Sequence, residues 1–114
     1  MRPLSFFFAF LRSEIQMGKK ESQFQRSLIE KIEKQLPGCM ILKNDPTYIQ
    51  GIPDLLILHN KKWAALECKK DEKASARPNQ EHFIKKMNDM SYASFVYPEN
   101  EKEVLNAIQS ALQP

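Results

Sequence analysis

Asp54-Leu55-Leu56-Ile57-Leu58-His59-Asn60-Lys61-Lys62-Trp63-Ala64-Ala65-Leu66-Glu67 is the stretch whose reading decides how this chain of 114 residues folds. Two strand-like runs, 54–58 and 63–67, flank a polar tetrapeptide, which is the pattern of a β-hairpin. With Asn60 and Lys61 at the turn centre, Leu58 faces Trp63 and Asp54 faces Glu67. Directly opposed residues share a sheet face with Cβ atoms roughly 5 Å apart. The strand period of two then returns Lys69 to that same face. A three-residue turn would slip the register by one and send the two carboxylates to opposite faces. Leu56, Leu58 and Ala65 accompany the carboxylates, while Leu55, Ile57, Ala64 and Leu66 occupy the other side. Strands apolar on both faces are expected to be central, with layers covering each face.

Two carboxylates at the edge of a covered face repel each other, and one of them takes a proton unless something compensates. A hard divalent cation compensates. Mg²⁺ takes oxygen ligands and keeps several waters, so two carboxylates and a main-chain carbonyl suffice for it. The plainer alternative is an ordinary Glu–Lys or Asp–Lys pair at a strand end. A Glu-x-Lys tripeptide alone does not choose between them; the preceding Gly51-Ile52-Pro53-Asp54 and the matched register favour the cation. Gly51 suits a backbone conformation or a close approach that a side chain would obstruct, and Pro53 suits the first residue of a strand.

Upstream, from Ser22, Phe24, Leu28, Ile32 and Leu36 repeat every four residues until Pro37-Gly38 stops an amphipathic helix. Glu21 lies within about 20° of Leu28 on that stripe, whereas Glu30 lies about 160° away, on the solvent side. Glu21 also suits a helix N-terminus through the dipole. Cys39-Met40-Ile41-Leu42 reads as a first strand and 43–50 as a loop with Asp45-Pro46 turn chemistry. Lys43, Tyr48 and Gln50 precede the carboxylate motif, placed to touch a phosphate or base or simply to form a polar loop.

Downstream, 71–77 is a polar connection, and Pro78 opens a helix running to about Met90. Gln80, Phe83, Ile84 and Met87 share one face, so Gln80 points inward, either to partners in the site or to cap its own helix. Ala93-Ser94-Phe95-Val96-Tyr97 is a fourth strand. A last helix follows from about Asn100, with Val104, Leu105, Ile108 and Leu112 as its stripe. The predicted order is αβββαβα, an α/β fold with a mixed central sheet flanked by helices.

A hydrophobic fraction of 42% and a charged fraction of 27% are those of one ordinary globular domain. The net charge of +3 is too small to announce a nucleic-acid partner, but residues 61–86 hold eight basic side chains against four acidic ones. The resulting +4 is concentrated around the carboxylate motif, where it suits a polyanionic backbone; a solvated charge run is the alternative. Cys39 and Cys68 have neither zinc-ligand nor disulfide-framework spacing, which fits a reducing cytoplasm. His59 and His82 form no ligand cluster. Leu4-Ser5-Phe6-Phe7-Phe8-Ala9-Phe10-Leu11 is too short to span a bilayer and lacks a cleavage site, so no membrane association is expected. Met17-Gly18-Lys19-Lys20 suits a start, which makes residues 1–16 an N-terminal extension and 17–114 the single domain. A packing or oligomer-contact role for the phenylalanines is the lesser alternative.

Gly51-Ile52-Pro53-Asp54, Glu67-Cys68-Lys69 and Gln80, in that order and on those elements, resemble the PD-(D/E)XK nuclease superfamily. The likeness is to its small VRR-NUC-like and Holliday-junction-resolvase-like members, often encoded by phages, and extends from about Glu21 to Tyr97. The resemblance implies a restriction-endonuclease-like core and a Mg²⁺- or Mn²⁺-dependent endonuclease acting on DNA, including branched or Holliday-junction DNA. It implies metal binding by Asp54, Glu67 and the main-chain carbonyl of Cys68, assisted by an acid on the first helix, for which phase selects Glu21 over Glu30. Lys69 would orient or activate the attacking water, and Gln80 would border the active site. Lys43, Tyr48, Lys70, Lys73 and Arg77 are the nucleic-acid contacts expected with it. A homodimer, and the host cytoplasm as location for a phage-encoded member, follow by the same analogy. The competing functions are a non-catalytic nucleic-acid-binding module on the same fold and an RNA-directed nuclease.

Overall fold

The computed structural model describes residues 18–114, so the expectations placed on residues 1–16 lie outside the described residues. Helix α1 spans Lys19–Gln35, strands β1, β2 and β3 span Met40–Lys43, Leu55–His59 and Lys62–Cys68, and helix α2 spans Pro78–Met90. Strand β4, Tyr92–Val96, leads through a 3-10 turn at Pro98–Asn100 into helix α3, Glu101–Leu112. The result is an α/β domain with a four-stranded mixed sheet and three helices among the described residues.

The hairpin sets the sheet. Asn60 and Lys61 have φ of 53° and 63°, the pair of left-handed residues that a two-residue turn needs to match strand twist. That turn pairs Leu58 with Trp63 and Leu55 with Leu66, the two-residue register rather than the slipped one. β1 adds antiparallel to β2 and forms one edge, and β4 adds parallel to β3 and forms the other.

One sheet face is closed. Leu55, Ile57, Ala64, Leu66 and Cys68 are fully buried there, in one cluster with Leu28 and Ile32 of α1 and Val104, Ile108 and Leu112 of α3. The ion pair between Lys31 and Glu101 and the bond from Gln35 Nε2 to the Leu105 carbonyl (2.6 Å) tie α1 to α3.

The opposite face departs from expectation. α2 packs over β3 and β4 and leaves β1 and β2 largely open. Leu56 and Leu58 are therefore only half-buried, and Met40 and Leu42, opposed to them on the edge strand, are exposed. Apolar composition marks what can be buried, but coverage depends on where the single helix on that side lands.

Several boundaries also shift. Lys43 closes β1 instead of opening the loop, Pro53 lies two residues before β2, and β4 begins at Tyr92. In α1 the buried face is Gln25, Leu28 and Ile32, with Phe24 only partly covered. At 100° per residue, Gln25 lies about 40° from the Leu28–Ile32 bisector and Phe24 about 60°, because a four-residue repeat drifts around the helix.

Candidate active site

Asp54 sits one residue before β2, and its position is fixed from three sides. The main-chain N–H of Asn44 donates to its carbonyl (2.9 Å), while Asn44 Nδ2 donates to the carbonyl of Pro53 (2.8 Å). Its side-chain Oδ2 accepts the main-chain N–H of Cys68 (2.8 Å), which anchors the carboxylate across the hairpin beside Glu67.

Gly51 sets the approach to this point. Its φ is +89°, and a Cβ there would stand 2.5 Å from Asn79 Cβ and 2.9 Å from the Asn79 carbonyl carbon. Glycine thus answers both requirements, the left-handed backbone and the close approach. The loop is consequently seated on the first turn of α2, one residue from Gln80.

Glu67 lies on β3 with only 5% of its surface exposed. Gln80 Nε2 donates to its Oε2 (3.1 Å), whereas its Oε1 is buried with no hydrogen-bond partner. Lys69 shares that side of the strand. Its Nζ donates to Gln80 Oε1 (2.8 Å) and stands 3.9 Å from Glu67 Oε2, and its main-chain N–H donates to the Val96 carbonyl (2.8 Å). Gln80 Oε1 also accepts the Arg77 main-chain N–H (3.1 Å). The two readings of Gln80 are therefore both realised: one oxygen with two lone pairs caps the helix and holds the lysine.

The electrostatics follow from this crowding. Burial first, then the Asp54 carboxylate, with a smaller push from Glu21, raise Glu67 to about 8 against the opposing charge of Lys69. Burial likewise raises Asp54 to about 6, against the Cys68 N–H that favours its charged form. Near neutral pH the pair accordingly retains close to one proton. The Cys68 thiol, on the closed face, is driven strongly upward by burial and then by both carboxylates, so it is an inert core group.

Glu21 is half-buried in the first turn of α1. Burial raises its pKa, while Lys69, Lys70 and the Lys70 main-chain N–H pull it back down. Among the described residues no group of three or more His, Cys, Asp or Glu side chains is arranged to hold a metal. Glu21 is nevertheless close enough to the pair for its charge to push both Asp54 and Glu67 upward. The residue that sequence reasoning passed over is Gln25, one turn beyond Glu21, buried to 5% exposure and placed to offset part of the upward shift of the Cys68 thiol. Its helical phase was the available signal.

Lys43, Tyr48, Lys70, Lys73 and Arg77 are all exposed or half-exposed, on the end of β1, the 44–52 loop and the 69–77 connection. No described helix is long and apolar enough to cross a membrane. No protein-family model matches the chain, and no curated protein matches it.

Proposed function

We propose that this protein is a Mg²⁺- or Mn²⁺-dependent endonuclease of the PD-(D/E)XK type that hydrolyses phosphodiester bonds in DNA. The observation that carries the reading is Glu67 Oε1, a carboxylate oxygen buried beside a second carboxylate and left without a partner. Buried polar groups are nearly always paired, and two carboxylates that give up their shared proton are completed by a cation. The residues fit such an ion: Asp54, Glu67 and the Cys68 carbonyl supply hard oxygens, and waters fill the remaining positions. The element order, with β1-β2-β3 antiparallel and β3-β4 parallel, supports a restriction-endonuclease-like core.

A bound divalent cation supplies Lewis acidity toward a phosphoryl oxygen and lowers the pKa of a water. The chain's own residues do the rest. Lys69 Nζ, oriented by Gln80 Oε1, keeps donors free to direct the attacking water and to offset charge developing on the phosphate. Gln80 couples that ammonium to Glu67, so the two move as one unit. Glu21, whose charge acts on Asp54, Glu67 and Lys69, is the proposed assisting acid beside the metal ligands. Lys43, Lys70, Lys73 and Arg77 are the proposed backbone contacts, and a second copy of the chain the proposed partner for two cuts at a branch.

The test is incubation of purified protein with linear duplex, junction DNA and RNA, each with Mg²⁺, Mn²⁺ or EDTA. The proposal expects DNA cleavage that needs metal and is lost in Asp54→Ala and Lys69→Ala. Binding without cleavage of any substrate would make the protein a non-catalytic module, and cleavage confined to RNA would make it a ribonuclease.

A further inference from the structure

Tyr48 is 84% exposed and Ile49 beside it 38% exposed, the tip of a loop that is otherwise tightly tied. Its first limb is an Asx turn in which the Thr47 N–H and Oγ1 both donate to Asp45 Oδ1 (2.8 and 2.6 Å), and the Tyr48 N–H donates to the Asp45 carbonyl (3.2 Å). Its second limb is closed by the Ile52 N–H on the Ile49 carbonyl (3.3 Å) and by Gly51 seated on Asn79. The base is clamped by Asn44, whose N–H and side chain hold Asp54 and Pro53. Within this internally bonded frame the loop presents the ring and an adjacent β-branched aliphatic to solvent.

Position gives that display a use. Tyr48 is four residues from Asn44, so its Cα lies within about 14 Å of the residue that grips Asp54. That span corresponds to about four nucleotides of axial rise along a strand. Stacking of a base on an exposed ring is worth about 1–3 kcal/mol and is tolerant of sequence, but it needs a base whose face is free. A base inside a continuous duplex has none to offer.

We infer that the Tyr48–Ile49 tip is a stacking platform for an unpaired nucleobase flanking the scissile phosphate, which makes nicked, gapped or branched nucleic acid the preferred substrate class. This rests on the nuclease reading for its substrate and refines it from nucleic acid in general to strands with an exposed base.

The experiment measures binding in Ca²⁺, by anisotropy, to a gapped duplex bearing 2-aminopurine in the gap and to the matched continuous duplex. The wild type should bind the gapped form more tightly and quench the 2-aminopurine. Tyr48→Ala should lose about 5- to 100-fold in affinity for the gapped form, lose the quenching, and change by less than about twofold on the continuous duplex. Tyr48→Trp should restore both signals. An unchanged thermal midpoint for Tyr48→Ala checks that the loop still folds, as the side chain's exposure requires. Equal losses on both substrates, no loss on either, or no binding of the gapped form by the wild type would overturn the inference. Cleavage in Mg²⁺ or Mn²⁺ is scored separately. Cleavage that ignores Tyr48 refutes only the platform, and Tyr48-dependent stacking without cleavage refutes only the nuclease.

Discussion

Replacing Glu67 by glutamine is expected to stabilise the metal-free protein, and to do so only above mildly acidic pH. The carboxyl rises from 4.5 in the unfolded chain to about 8 in the folded one, chiefly through burial. The folded state therefore holds its proton more tightly, and between those values the unfolded state binds fewer protons. Stability contributed by the protonated group is fully present below about pH 4.5 and is lost as pH rises through about 8. The full shift, at about 1.4 kcal/mol per unit, sets an upper bound on the order of 5 kcal/mol. Relaxation and water entry reduce it to on the order of 2–3 kcal/mol. The amide introduced by Glu67→Gln keeps an oxygen for Gln80 Nε2 and brings an N–H toward Asp54, so the substitution removes charge without removing the hydrogen bond. Thermal unfolding in EDTA from about pH 5 to about pH 9 checks this. The wild-type midpoint should fall steadily relative to Glu67→Gln, with the variant about 10 °C higher at about pH 8.5 and the two nearly equal at about pH 5. If the variant is less stable at the alkaline end, Glu67 is held favourably by Lys69 and Gln80, and the account of two carboxylates forced together is wrong.

Mn²⁺ should raise the wild-type melting point and leave that of Glu67→Gln nearly unchanged. Its affinity, read by calorimetry, should climb by up to about 100-fold from about pH 6 to about pH 8 as the shared proton is displaced; a pH-independent affinity would mean the cation binds elsewhere. Gly51→Ala should cost about 2–4 kcal/mol, since the positive φ and the Asn79 backbone both resist a Cβ; an unchanged denaturation midpoint would show that the loop is free to lift from α2. Gln80→Leu should lower cleavage by at least about tenfold and displace its pH profile while the far-ultraviolet spectrum is retained, because Lys69 loses its 2.8 Å partner. A loss of rate with an unmoved pH profile would count against the positioning role. Leu28→Ala, at the centre of the closed face, should destabilise by about 2–5 kcal/mol in urea unfolding without altering Mn²⁺ affinity in the folded protein.

The parts of the fold legible in the sequence are those set by local chemistry. The Asn60-Lys61 turn fixes a register, and a register fixes which residues share a face, so the closed-face set at 55, 57, 64 and 66 could be written down in advance. Pro78 and the carboxylate pair were legible for the same reason. What escaped depends on where distant elements land. Met40-Ile41-Leu42 is as apolar as a core strand, yet pairs on one side only and forms an edge. Whether α2 covers β1 or β4 is a question of how the 69–77 connection crosses the sheet, which no residue pattern states. In the site, Gln80 was found because a polar residue broke an apolar stripe. Gln25 was missed because a four-residue repeat was followed instead of the true helical angle. Glu21 was placed on its inward face, but Lys69 and Lys70, whose charges pull its pKa back down, belong to a connection without regular structure.

The arrangement also explains why Lys69 does not by itself settle the two carboxylates. At 3.9 Å, an ion pair in a partly buried setting is worth about 4 kcal/mol at an effective dielectric near 20. Burying two carboxylates costs several kcal/mol each. The lysine, moreover, spends its short contact on Gln80 Oε1, outside the pair, and reaches only the Glu67 oxygen that Gln80 already satisfies. Glu67 Oε1 lies beyond these contacts and beside Asp54. One more positive charge is therefore required between the carboxylates, and near neutral pH the proton held by the raised pair supplies it. A proton neutralises but cannot serve several oxygens at once; a divalent cation can, and displacing the proton then costs about one pK unit of affinity for each pH unit below about 8. Lys69, left unconsumed by the pair, keeps its remaining donors for whatever approaches from solvent.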